Sequence, residues 1–254
     1  MAETPPYAIL GRGRWAGTIR GVLAGENRRT IHIEETRQHS TENASTYQSR
    51  ISGALAASGA RIAWLCVPPG PHTAAIIEAA LGANLHVVVE KPWLCSPSVT
   101  NALLDLARKT QRVVAIHYQY CFLKEAQDWR REFNRGGGYR FGGCFTVSRR
   151  DHLGINAMDE LGSHLLAMRE HAVPQSSVSE IVCGYEMPEE RRVWVEKPDK
   201  QNASIDFLAA KEPIIQRFFA GVEAALDGAE FQFGLDFALR VAGEIEALKM
   251  RAPI

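Results

Sequence analysis

Apolar and polar positions alternate in short blocks along the first 120 residues. Tyr7 to Leu10 is an apolar run; a glycine-rich turn, Gly11-Arg-Gly-Arg-Trp-Ala16, follows it, then a helical stretch to about Ala24 and a second run from Thr30 to Glu35. Strand, tight turn, helix and parallel strand make a βαβ unit. The rhythm continues with a helix over Ser45 to Ser58, a strand over Ile62 to Val67 ending at Pro68-Pro69, and a helix over Thr73 to Leu81. Next come a strand over His86 to Val89 ending at Glu90-Lys91-Pro92, a helix over Ser98 to Lys109 and a strand over Arg112 to Tyr118. This alternation predicts an α/β fold, a doubly wound parallel sheet over residues 1–120.

The pattern changes after Tyr120. A polar helix over Leu123 to Asn134 ends at Gly136-Gly137-Gly138, and a strand over Arg140 to Arg149 precedes a helical region centred on Asp159 to Met168. Three further strands are expected at Ser177 to Tyr185, Arg191 to Glu196 and Ala203 to Ala209, with closing helices at Pro213 to Leu226 and Gly234 to Lys249. Strands following one another without long helices predict an α+β second domain, residues 121–254, with an open, largely antiparallel sheet. No repeat or low-complexity linker marks the boundary, which rests on the change of rhythm alone.

Composition narrows the class. The 254 residues carry 29 Lys plus Arg against 29 Asp plus Glu, so no net field draws the chain to nucleic acid or an anionic membrane. No apolar run approaches the roughly 18 to 20 residues that cross a bilayer, and MAETPPYAIL lacks the basic start and apolar stretch of a secretory signal. A soluble cytoplasmic protein is expected. The five cysteines form no CxxC pair, which favours reduced thiols over a metal site or disulfide framework.

The glycine turn carries the first chemistry. Gly11 and Gly13 follow the first strand, and Ala16 stands where the third small residue of GxGxx(G/A) belongs. Such a turn lets backbone approach a pyrophosphate while the helix N-terminus offers unpaired N–H groups, the arrangement of a dinucleotide-binding Rossmann unit. Arg12 and Arg14 either assist with phosphate or are solvated surface residues, and Trp15 flanks the motif. At the end of the second strand, Glu34 or Glu35 would accept hydrogen bonds from an adenosine ribose diol. Aligning Thr36 at the strand tip with Arg37 beside it instead suits a 2′-phosphate, so NADP is preferred and NAD is the alternative.

With Val67-Pro-Pro-Gly-Pro-His72 and Ala80-Leu-Gly-Ala-Asn-Leu-His-Val-Val-Val-Glu-Lys-Pro92 added to that turn, the chain resembles the Gfo/Idh/MocA oxidoreductases over about residues 7 to 120. The resemblance implies a nicotinamide enzyme with its active site between a Rossmann domain and an open-faced sheet. It places Glu90, Lys91 and Pro92 near the nicotinamide, with Lys91 as active-site lysine and Glu90 holding its ammonium. Pro68 and His72 match family positions at the strand-to-helix loop; His72 either contacts cofactor or caps the Thr73 helix. The family's D-x-G-x-H pattern corresponds to Glu160-Leu-Gly-Ser-His164, giving His164 a proton-transfer role and Glu160 an orienting one if the stretch is helical. Tyr118 and Tyr120 would line the substrate side or pack in the core, and Asp151 and His152 would border the cleft or lie in solvent. Many family members carry an arginine just past Tyr120, where this chain has Cys121, which weakens any carry-over of sugar recognition.

The function expected is hydride transfer to or from a small carbonyl/hydroxyl or imine/amine compound, in a homodimer or homotetramer. Two alternatives stand beside it: a dinucleotide-binding sensor or structural partner with reduced turnover, and a non-redox enzyme that oxidises its substrate transiently.

Overall fold

The computed structural model describes residues 5–34, 36–37, 39, 42–133, 138–151, 154–198 and 202–251. Glu35, Asn134, Gly136, Gly137 and His152, all invoked above, lie outside them. The chain forms two compact units. The first runs to His117 and takes in Phe218–Leu239; the second comprises Tyr118–Arg217 and the chain from Arg240 onward. The first crossing between the units falls at His117/Tyr118, and residues 218–239 belong to the first unit.

In the first unit, β1 (Tyr7–Leu10), β2 (Thr30–Ile33), β3 (Ile62–Leu65), β4 (His86–Val89) and β5 (Val114–Ile116) form one sheet in the order β2-β1-β3-β4-β5. Every pairing is parallel. β1, β3 and β4 are buried along their whole length, as expected for strands covered on both faces. The connections are α1 (Arg14–Gly25), α2 (Ala44–Ser58), α3 (Pro71–Gly82) and α4 (Pro97–Thr110). Local chemistry sets their limits: Asn43 caps α2 by accepting the Thr46 N–H at 2.9 Å, Gly59 closes it at φ 63°, and Ser96 caps α4. Strand order changes direction after β2, because β3 is added on the other side of β1; this sends the crossovers to opposite faces and opens a switch point at the carboxyl ends of β1 and β3.

The second unit holds β6 (Arg140–Val147), β7 (Ser177–Tyr185), β8 (Glu190–Glu196) and β9 (Ala203–Asp206) in the order β7-β6-β8-β9. β6 and β7 are parallel; the other two pairings are antiparallel, giving a mixed, largely antiparallel sheet. α5 (Lys124–Phe133), α6 (Ala157–Glu160) and α7 (Gly162–Ala172) follow, after a 3₁₀ turn at Gln119–Phe122. Phe141, Phe145, Leu165, Met168, Trp129 and Phe133 build the core. Gly143 admits Leu165 against the sheet, and on the opposite face Gly142 lies under the Trp194 indole. The closing helices, α8 (Ile214–Leu226) and α9 (Leu235–Arg251), each supply residues to both units.

Tyr7, in β1, donates to Glu223 Oε1 at 2.9 Å, and Arg28 bonds the same carboxylate through two nitrogens, tying the first sheet to the later part of α8. Among the described residues, no helix is long and apolar enough to cross a membrane, and no group of three His, Cys, Asp or Glu could hold a metal ion.

Two buried histidines contribute to the acid response. Burial, with Arg112 and Arg61 nearby, lowers the His86 pKa to about 4, and burial with Arg130 does the same for His171. A depressed histidine pKa means that the unfolded chain binds more protons below about 6.5, so stability is complete above that pH and is lost towards pH 4. The melting temperature should fall steadily over this interval, and His171→Asn should make the fall shallower in a thermal-denaturation series. An unchanged slope would remove His171 from the account.

Candidate functional site

The glycine turn follows β1 directly. Gly11 has φ 126°, and a Cβ there would stand 2.5 Å from the Cys66 carbonyl oxygen, so only glycine fits between the turn and the end of β3. Gly13 is the N-cap of α1 with extended backbone, no side chain caps that helix end, and nothing lies within 4 Å of where its Cβ would be. The α1 N–H groups are thus left for an outside acceptor, and backbone is open to close approach, which fits a pyrophosphate. Arg12, Gly13 and Arg14 are exposed and Ala16 is buried. A histidine that the sequence reading passed over holds the turn from β2: His32 Nε2 donates to the Gly11 carbonyl at 2.5 Å, while its Nδ1 faces Arg20 and Glu34.

β2 ends at Ile33, two residues before the expected limit. Glu34, exposed, is therefore the first residue past the strand, and Thr36 and Arg37 belong to the loop beyond it rather than to its tip. Thr36 is buried, with its carbonyl accepting from Tyr47 at 2.8 Å; the Arg37 side chain is exposed. At the end of β3, Pro68 is exposed and the His72 ring lies against Gly70. The Thr73 hydroxyl accepts the Gly70 N–H at 3.2 Å, so Thr73 itself performs the capping considered for His72.

Glu90 follows β4 immediately and is the most heavily bonded group at this end of the sheet. Trp64 of β3 donates its indole N–H to Oε1 at 2.8 Å, and His117, next after β5, places Nδ1 3.0 and 3.2 Å from the two oxygens. Burial alone would raise the Glu90 pKa, but His117 and the indoles of Trp15 and Trp64 outweigh it and hold the carboxyl below its ordinary value. Among the described residues, the Trp15 indole N–H meets no acceptor at good hydrogen-bond geometry, although it lies close enough to Glu90 to contribute to that lowering. The His117 side chain is wholly buried, stacked on Trp15 and in contact with Trp64 and Phe218. Lys91 and Pro92 leave this anchored position directly, Lys91 partly exposed and Pro92 buried. Neither Trp64 nor His117 belonged to a motif; each is found only once strand register is known.

In the second unit, Glu160 and His164 fall on successive helices, because the expected continuous helix breaks at Leu161. Arg149 donates to Glu160 Oε1 at 2.6 Å and Tyr185 to Oε2 at 2.5 Å, so both carboxylate oxygens are engaged. The buried His164 imidazole lies 5.1 Å from the Phe145 ring in a stacked arrangement and 4.9 Å from Tyr120, edge-on. Tyr120 in turn stacks on Phe207 at 4.3 Å. Tyr118 is fully buried, with its phenol pKa pushed up by burial and by Cys121. Asp151 is exposed, its carboxylate accepting the Gly154 N–H. A cavity of about 500 Å³ opens at the amino ends of the parallel strands beside Arg61, His86 and Arg112, away from the glycine turn.

A five-stranded parallel sheet with an uncapped helix behind a GxGxxA turn defines a dinucleotide-binding Rossmann unit. Residues 8–118 match the model of the family described as "Oxidoreductase family, NAD-binding Rossmann fold", the segment over which the sequence resembles the Gfo/Idh/MocA oxidoreductases. No curated protein matches the chain in sequence. Solved structures match its whole length. UDP-N-acetylglucosamine 3-dehydrogenase GnnA from Acidithiobacillus ferrooxidans is 15% identical with a TM-score of 0.77, covering 97% of each chain. GenD2 from gentamicin A biosynthesis, in complex with NAD, is 17% identical with a TM-score of 0.75, covering 97% of this chain and 93% of its own. A mutant of KijD10, a 3-ketoreductase from Actinomadura kijaniata, in complex with TDP-benzene and NADP, is 14% identical with a TM-score of 0.71, covering 98% of each. At these identities the likeness shows the fold.

Gly11→Ala should cost about 2 to 4 kcal/mol, because a methyl group meets the Cys66 carbonyl in a strained backbone region. Urea denaturation measures this; a loss under about 0.5 kcal/mol would mean that the turn and β3 separate freely.

Proposed function

We propose that this protein is a nicotinamide-dependent oxidoreductase that moves hydride to or from a carbon bearing oxygen or nitrogen in a small, sugar-like substrate. One observation carries the reading: an open glycine turn and a Glu90-Lys91 step anchored by buried donors occur in one Rossmann unit of an oxidoreductase family. The dinucleotide, when bound, supplies or accepts the hydride. Gly11, Gly13 and the first α1 amides hold the pyrophosphate, with Arg12 and Arg14 beside it. Trp15 and Ala16 pack the start of the helix, and Pro68 and His72 border the cofactor.

Lys91 orients the substrate oxygen or nitrogen and takes part in proton transfer, while Glu90 fixes the main chain from which Lys91 projects. His164 exchanges a proton with the substrate, and Tyr120 is a neighbouring substrate contact. Glu160, gripped by Arg149 and Tyr185, secures the start of α7 and orients His164 through the helix. A sugar nucleotide is the preferred substrate class, supported by the likeness to GnnA, a UDP-N-acetylglucosamine 3-dehydrogenase, and to KijD10, a 3-ketoreductase in complex with TDP-benzene. The reading includes a homodimer or homotetramer.

NADP is the proposed dinucleotide, recognised at its 2′-phosphate by the Arg37 guanidinium with the Thr36 hydroxyl; the acidic Glu34 nearby favours NAD as the alternative. Arg37→Ala should weaken NADP binding by about tenfold, roughly 1.4 kcal/mol, while leaving NAD within about twofold in calorimetric titrations. Equal loss for both would assign Arg37 no selectivity.

A hydride-transfer screen over carbonyl, polyol, imine and sugar-nucleotide compounds, followed at the nicotinamide absorbance with both dinucleotides, tests the activity. On the substrate it identifies, Lys91→Ala and His164→Asn should each lower kcat by about 100-fold or more while dinucleotide affinity stays within about threefold. Parallel loss of folding and turnover would make both residues structural.

A further inference from the structure

We infer that Arg191, on β8, selects an anionic substrate, a sugar-like compound bearing phosphate or carboxylate, at the His164 side of the second unit; this deepens the proposed oxidoreductase reading and rests on it. The starting point is a departure in the sequence. Cys121 follows Tyr120, is buried, and has its thiol pKa pushed up by burial, so it brings no charge to this position. A cation arrives from elsewhere in the fold. Arg191 pairs with Phe145 across the β6–β8 ladder, and its guanidinium carbon lies 5.2 Å from the centre of the Phe145 ring. That ring is the one on which His164 stacks. Arg191 Nη1 stands 3.4 Å from the Tyr120 hydroxyl, which belongs to the other ring touching His164. One arginine therefore reaches both aromatic neighbours of the proposed proton-transfer histidine.

Its bonding leaves capacity for a ligand. Among the described residues, Arg191 Nε is buried without a hydrogen-bond partner, although guanidinium donors are costly to leave unsatisfied. Nη2 pairs with Glu189, two residues away and about half exposed. A rim pair of that kind contributes only about 0 to 1 kcal/mol, so a multiply charged phosphate or a well-placed carboxylate can take over the guanidinium fork. Stacking on Phe145 keeps the planar group oriented. Arg192, next in the chain, does not duplicate the role, because it lies over Trp194 on the opposite face of the sheet.

Calorimetric titration of the full chain with glucose 6-phosphate, UDP-glucose, glucuronate and glucose tests the assignment and separates phosphate from carboxylate recognition. At least one charged compound should bind about tenfold or more tightly than glucose. Arg191→Gln should abolish that advantage, Arg191→Lys should retain part of it, and NADP and NAD affinities should stay within about twofold, which shows that the variant is folded. Equal binding of glucose, unchanged anion affinity in Arg191→Gln, or failure of every charged compound to bind would overturn the inference. Anion titrations need no dinucleotide, so absence of dinucleotide binding would sink the oxidoreductase reading separately.

Discussion

The largely enclosed carboxylate of Glu90, and the donors around it, form the interaction on which the first unit's proposed chemistry depends. An ionised carboxylate removed from water costs several kcal/mol unless donors replace the lost hydration. Here they come from both flanking strands: Trp64 in β3, and His117 just past β5. Three adjacent parallel strands are thus joined through one side chain at their carboxyl ends, where open α/β sheets bind ligands. Lys91 is the next residue in the chain, so the fixed carboxylate defines the origin of the lysine side chain. The glycine turn supplies the complementary constraint, since Gly11 is pressed against the Cys66 carbonyl and held from the other side by His32.

The second unit applies a different logic. Its sheet is mixed, its core faces α5 and α7, and His164 packs against the aromatic rings of Tyr120 and Phe145. Glu160, four residues before His164, is gripped by Arg149 and Tyr185. Breaking a buried pair of that kind exposes an uncompensated charge, so its stability contribution and its influence on α7 are inseparable. Arg191 connects this hydrophobic setting to a charged ligand.

The elements legible in the sequence were those governed by local pattern. Fully buried runs such as Ile62–Leu65 and His86–Val89 read as strands because both faces are covered, and GxGxxA read as a turn because close approach demands glycine. What stayed hidden required knowing which strands are neighbours. Trp64, Glu90 and His117 are dispersed over 54 positions, and Arg191 stands 71 residues from Tyr120. The return of Phe218–Leu239 to the first unit was equally invisible, because an amphipathic helix does not announce which sheet it covers. At the β2 end the pattern misled: β-branched and acidic residues extended the apparent strand past Ile33, whereas the observed chain turns there, with the Thr36 N–H bonded to the Glu34 carbonyl.

Direct titration of the intact protein with NADP and NAD, by calorimetry and by tryptophan fluorescence, measures the central claim. Trp15 sits beside the glycine turn and stacks on His117, so an occupied turn should perturb its emission. The account requires saturable binding of at least one dinucleotide, one molecule per chain, with a matching fluorescence change. No saturable binding of either would contradict it.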